Sequence, residues 1–279
     1  MIDAQTVLYG IIGNPVRHSL SPIIHNGAFR RMGLNAAYLA FEVKNLEEAL
    51  QGIKGLGLRG VSVTIPYKTE VIPSLDEVDG VAGKINAVNT IVNEGGRLIG
   101  YNTDGCGALE ALEENIDLKK KKILILGAGG AARAIGFGLK DRGCQLVLAN
   151  RSRERVEALA KELGCVHRPL PSFIGIKAEE LDVEVIINAT SIGMYPREEE
   201  SPLPKEVLRE GMTVMDIVYK PLRTKLLQEA DQQGCLTING LEMLVRQAAA
   251  QIEIWTKRKP EIMQIKEDLR RTLETESND

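Results

Sequence analysis

The sequence predicts an α/β protein of two domains, and three observations carry the prediction. Short apolar runs alternate with helical patterns along most of the chain. The stretch from Lys122 to Arg155, KILILGAGGAARAIGFGLKDRGCQLVLANRSRER, holds an apolar run, a glycine turn, an alanine-rich helical pattern and a second apolar run, which is one βαβ unit. After Gly240 the alternation stops, and two helical patterns remain that have to pack elsewhere. Returned to the first domain, they make it discontinuous. The expected division is 1–103 with 240–279, and 104–239.

The chain has 279 residues, 44% of them hydrophobic, enough for two modest cores. A net charge of −3 invites neither nucleic acid nor an anionic membrane. No apolar run approaches the roughly 18 residues of a spanning helix, and the opening MIDAQTVLYG has no signal-peptide pattern. The 4 cysteines, Cys106, Cys144, Cys165 and Cys235, form no CxxC, as expected of free thiols in a reducing cytoplasm. The 3 histidines, His18, His25 and His167, lack ligand spacing, so no metal is expected.

In order along the chain, Leu8 to Ile12 reads as a strand running into Gly13-Asn14-Pro15 and then His18-Ser19-Leu20-Ser21-Pro22. Ser21 before Pro22 is a helix-start signature, with serine as N-cap and proline at the first helical position. Ser19 and Ser21 then either hold a small carboxylate at a positive helix end or, in the plainer reading, Ser21 only caps. Ala37 to Val43 is a strand and Leu46 to Ile53 a short helix. Val61, Val63 and Ile65 alternate with Ser62 and Thr64 as in a strand that ends at Pro66. Lys68 falls in the first turn of whatever follows; a cation at a helix start favours its neutral form. The plainer alternative is a snorkelling surface lysine.

Asn86 to Val92 and Arg97 to Tyr101 read as a strand pair joined by Asn93-Glu94-Gly95-Gly96. Asn102, Thr103 or Asp104 can cap the next helix. Lys119 to Lys122 is a solvated lead-in to the central strand. In the glycine turn, Gly127, Gly129 and Ala132 fit G-x-G-x-x-A, for a sharp turn, close backbone approach to a pyrophosphate, and tight helix–strand packing. The pyrophosphate belongs on the free N–H groups of the new helix. At the end of the second strand, where an NAD site carries Asp or Glu, stand Asn150 and Arg151, with Arg155 one turn on. Guanidiniums bind a 2′-phosphate that a carboxylate repels, so NADP(H) is expected over NAD(H). Further alternation follows: a helix from Glu154 to Leu163, strands from Val183 to Ala189 and Thr213 to Val218, a helix from Leu222 to Gln233 and a strand from Leu236 to Ile238. A doubly wound Rossmann-like sheet gathers ligands at its strand ends, here Thr190-Ser191 and Val218-Tyr219 as well as the glycine turn. Leu241, Leu244, Val245, Ala248, Ile252 and Trp255 stripe the next helix beside Gln247 and Gln251. Pro260 opens a last helix that frays in ETESND.

Eight stretches, taken together, resemble the shikimate dehydrogenases: GNPVRHSLSPIIHN from Gly13, VSVTIPYK from Val61, NAVNT from Asn86, NTDG from Asn102, GAGGAA from Gly127, NRS from Asn150, NATSIGM from Asn188, and GLEMLVRQ from Gly240 with the following Ala248. They keep the family's order over nearly the whole chain. The resemblance implies reversible NADPH-dependent reduction of 3-dehydroshikimate to shikimate, a step in aromatic amino acid biosynthesis. It places the substrate carboxylate on Ser19 and Ser21 with Tyr219 nearby, the ring hydroxyls on Thr64, Asn89 and Gln247, and catalysis on Lys68 and Asp104. It places the cofactor on Gly127, Ala128, Gly129, Gly130, Ala131, Asn150, Arg151, Ser152, Arg155, Thr190, Ser191, Ile217 and Gly240. The only departure noticed is Leu241-Glu242 ahead of Met243. The expected partners are small-molecule substrate and cofactor, with no nucleic acid and no membrane. A homodimer is left open, and sequence is silent on oligomeric state. A quinate or dual quinate/shikimate dehydrogenase is the nearest rival, and a non-catalytic nucleotide-sensing regulator on the same fold the more distant one.

Overall fold

The computed structural model describes residues 2–173, 175 and 181–276. It divides into two compact units, residues 1–103 with 245–279 and residues 104–244.

In the first unit, strands β1 (Val7–Gly13), β2 (Ala36–Glu42), β3 (Gly60–Val63), β4 (Glu77–Val78), β5 (Thr90–Glu94) and β6 (Arg97–Tyr101) form a mixed sheet of order β2-β1-β3-β5-β6-β4. β1 pairs parallel with β2 and β3; β5 runs antiparallel to β3 and β6. Helix α1 (Ser21–Arg31) is clasped to β2 by Asn26, whose side chain donates to the Tyr38 carbonyl and accepts from the Tyr38 N–H, each at 2.8 Å. Helix α2 (Leu46–Leu56) begins on Asn45, whose side chain accepts from the N–H groups of Glu47 and Glu48, and ends at left-handed Gly57. It runs three residues past its expected end, through Gly55, and stops where Gly57 takes the left-handed conformation.

Other boundaries differ from the sequence reading for identifiable reasons. Val61, Val63 and Ile65 do not alternate with their neighbours in burial: β3 is central and buried on both faces, while Ile65 lies outside it and is exposed. No α-helix follows Pro66. Residues 65–71 stay in turns and lead to a short 3-10 helix at Ile72–Ser74, because Pro73 supplies no N–H to continue an α-helical ladder. Asn86 to Asn89 are not strand: Asn86 has φ 55° and terminates helix α3 (Gly80–Ile85), which the sequence reading missed together with β4. The Gly95-Gly96 turn has φ values of 63° and 95°, and Glu94 pairs with Arg97 across it.

The second unit holds β7 (Lys122–Leu126), β8 (Gln145–Asn150), β9 (Val166–Pro169), β10 (Val185–Asn188), β11 (Thr213–Asp216) and β12 (Leu236–Ile238), all parallel, in the order β12-β11-β10-β7-β8-β9. Winding outward in both directions from the β7–β10 pair is the doubly wound Rossmann order, with its switch point between those strands. β9 was not expected; all four of its residues are exposed, so it lacks the apolar pattern that marks a strand. The helices are α4 (Asp104–Glu113), α5 (Gly130–Asp141), α6 (Arg153–Leu163) and α7 (Lys225–Gln232). Leu124, Leu126, Ile186 and Val214 of the sheet pack with Leu226 and Leu227 of α7 in one core.

Helix α8 (Gly240–Thr256) spans the boundary between the units, and from Val245 onward its residues belong to the first. There Trp255 Nε1 donates to the Ile91 carbonyl at 3.0 Å, and Gly60 leaves the room its indole fills. Helix α9 (Ile262–Glu276) packs on α1, with Arg31 Nε donating to Asp268 at 2.7 Å. It takes in the first three residues of the charged tail expected to fray; 277–279 lie outside the described residues.

Candidate functional site

Four helices close their N-termini with a side chain: Asn45 on α2, Asp79 on α3, Ser152 on α6 and Thr224 on α7. The cap positions of α1 and α5 hold Leu20 and Gly129, which supply no such bond. Both are the helix starts where the sequence places a ligand anion, and an uncapped start offers its N–H groups and positive end to one.

At α1 the expected cap is corrected. Ser21 is the first helical residue, and the position before it is Leu20 in αR geometry. The hydroxyl that serves the helix start is that of Ser19, which accepts from the Ser21 N–H at 3.2 Å. Ser21 is buried and its carbonyl accepts from His25 Nδ1 at 2.8 Å, which fixes the neutral tautomer with the proton on that nitrogen. The His25 ring stacks on Tyr38 with centroids 4.1 Å apart. Burial pushes this imidazole down to about 4, against the hydrogen bond to Ser21.

Asn89 and Gln247 are brought together. Asn89 Nδ2 donates to Thr103 Oγ1 at 2.9 Å and to Gln247 Oε1 at 3.4 Å, while Asn89 Oδ1 accepts from the Thr103 N–H at 2.8 Å. Asn89 is 2% and Gln247 8% exposed, so this is a built polar cluster and not a wet surface. Thr64 and Lys68 are half-buried in the turns after β3. Thr64 is anchored through its N–H to the Ile12 carbonyl at 3.0 Å, and the Lys68 carbonyl accepts from the Val88 N–H at 2.7 Å. With no helix at Lys68, the helix-end field expected to act on it is absent. Asp104 is buried as the first residue of α4, in the other unit from Lys68.

In the second unit the glycine turn has the expected build. Gly127 has φ 118°, and a Cβ there would meet the Ala189 carbonyl oxygen at 2.8 Å, so only glycine fits. Ala128, Gly129, Gly130 and Ala131 follow, partly or fully exposed, with Gly129 in the cap position of α5. At the end of β8, Asn150 Nδ2 donates to the Ser152 carbonyl at 3.3 Å. Arg151 and Arg155 are exposed, and Ser152 caps α6 by accepting from the Arg155 N–H. Cationic side chains at this corner, an uncapped α5 and a turn that excludes Cβ fit a dinucleotide bearing a 2′-phosphate.

Thr190 and Ser191 follow β10. Asn188 organises that turn: its Oδ1 accepts from the Thr190 N–H at 3.0 Å and the Thr190 hydroxyl at 2.7 Å, and its Nδ2 donates to the Ile192 carbonyl and to Asp216. Asp216, fully buried, also accepts from the Val218 N–H at 2.9 Å and Thr224 Oγ1 at 2.7 Å. Burial pushes its carboxyl up to about 6, opposed by those three bonds. Ile217 and half-buried Tyr219, whose phenol burial pushes up, lie just beyond. Gly240 begins α8 against the Ile217 and Val218 carbonyls, where a Cβ would come within 2.5 Å of each oxygen.

Sequence reasoning missed Asn188, Asp216, Tyr38, Ser62 and Thr90, all buried polar side chains. The available signal was polarity inside an apolar strand pattern, as at Ser62, which was read only as part of a strand alternation.

Profiles described as shikimate dehydrogenase substrate binding domain, shikimate / quinate 5-dehydrogenase, and shikimate 5′-dehydrogenase C-terminal domain match residues 11–91, 109–218 and 240–270. The chain belongs to the shikimate dehydrogenase family. Among curated members of the shikimate dehydrogenase family, it is 48% identical to the shikimate dehydrogenase (NADP(+)) of Moorella thermoacetica, covering 98% of this chain and 95% of that one. It is 51% identical to that of Methanocaldococcus jannaschii, covering 94% and 95%. A crystal structure of a shikimate dehydrogenase in complex with NADP+ superposes with a TM-score of 0.92 at 46% identity, over 98% of this chain and 97% of the other.

Proposed function

We propose that this chain is an NADP-dependent oxidoreductase that reversibly reduces 3-dehydroshikimate to shikimate. The observation that carries the reading is the pair of uncapped helix starts, α1 beside Ser19 and Ser21 and α5 beside Gly127, in a chain related over nearly its whole length to NADP shikimate dehydrogenases. In the first unit, Ser19 and Ser21 hold the substrate carboxylate, to which the family resemblance adds Tyr219, and Thr64, Asn89 and Gln247 hold the ring hydroxyls. In the second, residues 127–131 hold the pyrophosphate, and Asn150, Arg151, Ser152 and Arg155 the adenosine end with its 2′-phosphate. Thr190, Ser191, Ile217 and Gly240 line the remaining course of the dinucleotide.

When bound, the cofactor supplies or takes up the hydride. The chain's own residues do the proton work. Lys68 stabilises the negative charge that develops on the substrate oxygen and delivers a proton to it. Asp104 orients Lys68 and accepts from the neighbouring hydroxyl. Directed hydrogen bonds from Asn89 and Gln247 select a polyol, since an analogue lacking a hydroxyl leaves their buried groups unpaired. The 4 cysteines are all free thiols, which supports the cytoplasm as the site of action.

The test is absorbance at the reduced-nicotinamide band with purified protein and four pairings: shikimate or quinate, each with NADP or NAD. Shikimate with NADP should be turned over most efficiently. Faster turnover of quinate points to the rival dehydrogenase, and no turnover of any pairing points to a regulator.

A further inference from the structure

Tyr38, Ser62, Gln251, Thr90 and Asn89 form one unbroken line of hydrogen bonds through the core of the first unit. Tyr38 Oη donates to Ser62 Oγ at 2.6 Å, and Ser62 Oγ donates to Gln251 Oε1 at 2.8 Å. Gln251 Nε2 donates to Thr90 Oγ1 at 2.9 Å and to the Asn89 carbonyl at 3.1 Å. Thr90 Oγ1 donates to Asn89 Oδ1 at 2.7 Å. All five side chains are at most 4% exposed.

The direction of donation matters. A hydroxyl has one proton to give, and each hydroxyl here gives it to the next residue in the line. Gln251 in the middle has an acceptor on one side and a donor on the other, so its amide can stand only one way round. The last bond and the Thr103 N–H both reach Asn89 Oδ1, which turns Asn89 Nδ2 toward Thr103 Oγ1 and Gln247 Oε1. An asparagine with its oxygen free could flip, presenting oxygen where the substrate needs a donor. At the other end the Ser21 hydroxyl stands beside the Tyr38 phenol. The line therefore runs from the residue assigned to the carboxylate to the pair assigned to the ring hydroxyls. It uses side chains from β2, β3, β5 and α8. Bonds aligned head to tail polarise one another, and a buried network with every member satisfied holds a single geometry.

We propose that Gln251, with Thr90 and Ser62, is a positioning residue for the substrate: it fixes the amide of Asn89, and through it Gln247, in the orientation that binds the ring hydroxyls. The proposal rests on the assignment of Asn89 and Gln247 to the substrate. Its test is steady-state kinetics on Thr90→Val, Gln251→Met, Gln251→Glu and Asn89→Ala. Thr90→Val changes shape least and removes one of the bonds that orient Asn89, leaving its oxygen to the Thr103 N–H. It should raise the shikimate KM about tenfold, the worth of one such hydrogen bond, and leave the NADP KM within about twofold. Gln251→Met should do the same. Gln251→Glu, neutral when buried, keeps an acceptor for Ser62 and an O–H for Thr90, and should recover most of the loss. A structural role alone would lower the melting temperature and the active fraction, hence kcat, with the shikimate KM intact in every variant. That result overturns the proposal. If Asn89→Ala raises the shikimate KM while Thr90→Val does not, the positioning role falls and the site assignment stands. If Asn89→Ala leaves the KM unchanged, the site assignment falls and takes the proposal with it. Should Gln251→Met fail to fold, Thr90→Val decides.

Discussion

The helix starts of α1 in the first unit and α5 in the second have no side chain in the cap position bonded to them, yet the two are surrounded differently. In the first unit the polar groups are buried side chains: Asn89, Thr103 and Gln247 bond to one another, and they and Ser21 are each at most 8% exposed. Near α5 the groups are backbone, carried on an open turn that Gly127 makes possible, with exposed arginines beyond it. The difference follows from the ligands. A pyrophosphate is recognised by N–H groups that any sequence supplies once the turn is right. A small polyol has no such handle, so its discrimination requires side-chain donors and acceptors held in one orientation, which in turn requires that every buried partner be satisfied.

The comparison breaks or sharpens on three variants. The largest effect is expected at Lys68, where Lys68→Ala should lower kcat by roughly 10²–10⁴-fold, the worth of general acid–base help, with little change in the NADP KM. A nearly normal kcat would remove Lys68 from the chemistry. Next is the pH dependence of the first unit, through His25. Its folded pKa, about 4, lies below the ordinary imidazole value of 6.5, so the folded form resists protonation. Its contribution to stability is full above the unfolded value and is lost as pH falls from there through the folded value. At pH 5 the loss is about 2 kcal/mol. Denaturant unfolding at pH 7 and pH 5 should show it for the wild type and show a flatter dependence for His25→Gln. Equal slopes would place the acid sensitivity elsewhere. The smallest effect is at the exposed corner of the second unit. Arg151→Ala with Arg155→Ala should reduce the preference for NADPH over NADH about tenfold, leaving the shikimate KM unchanged, since charge-assisted bonds at an exposed site are modest. An unchanged ratio of kcat/KM for the two cofactors would assign the 2′-phosphate to other groups.

The second unit was more legible in the sequence than the first, for the same physical reason. A parallel sheet covered on both faces writes itself as apolar runs, and its ligand turn is written in glycine at Gly127 and Gly129. Among the described strands of that unit only β9, with no apolar residue buried, escaped. In the first unit, Asn86 to Asn89 look like strand by composition, and the αL geometry of Asn86 that breaks it depends on the packing of α3. Lys68 sits in turns because Pro73, five residues on, stops a helix before it starts. Thr90 and Ser62 carry no motif of their own; their meaning comes from Gln251, more than 150 residues away along the chain. Gln247 and Gln251 were visible as polar neighbours of an apolar stripe, but periodicity alone does not tell a buried amide from a solvated one.

The most direct test of this division of labour is calorimetric titration of shikimate and of NADP into the wild type, Asn89→Ala and Gly127→Val. Asn89→Ala should weaken shikimate by about tenfold or more and leave NADP binding as it was; Gly127→Val, which puts a side chain against the Ala189 carbonyl, should do the reverse. Loss of both ligands together in either variant, or shikimate binding unchanged in Asn89→Ala, would contradict it.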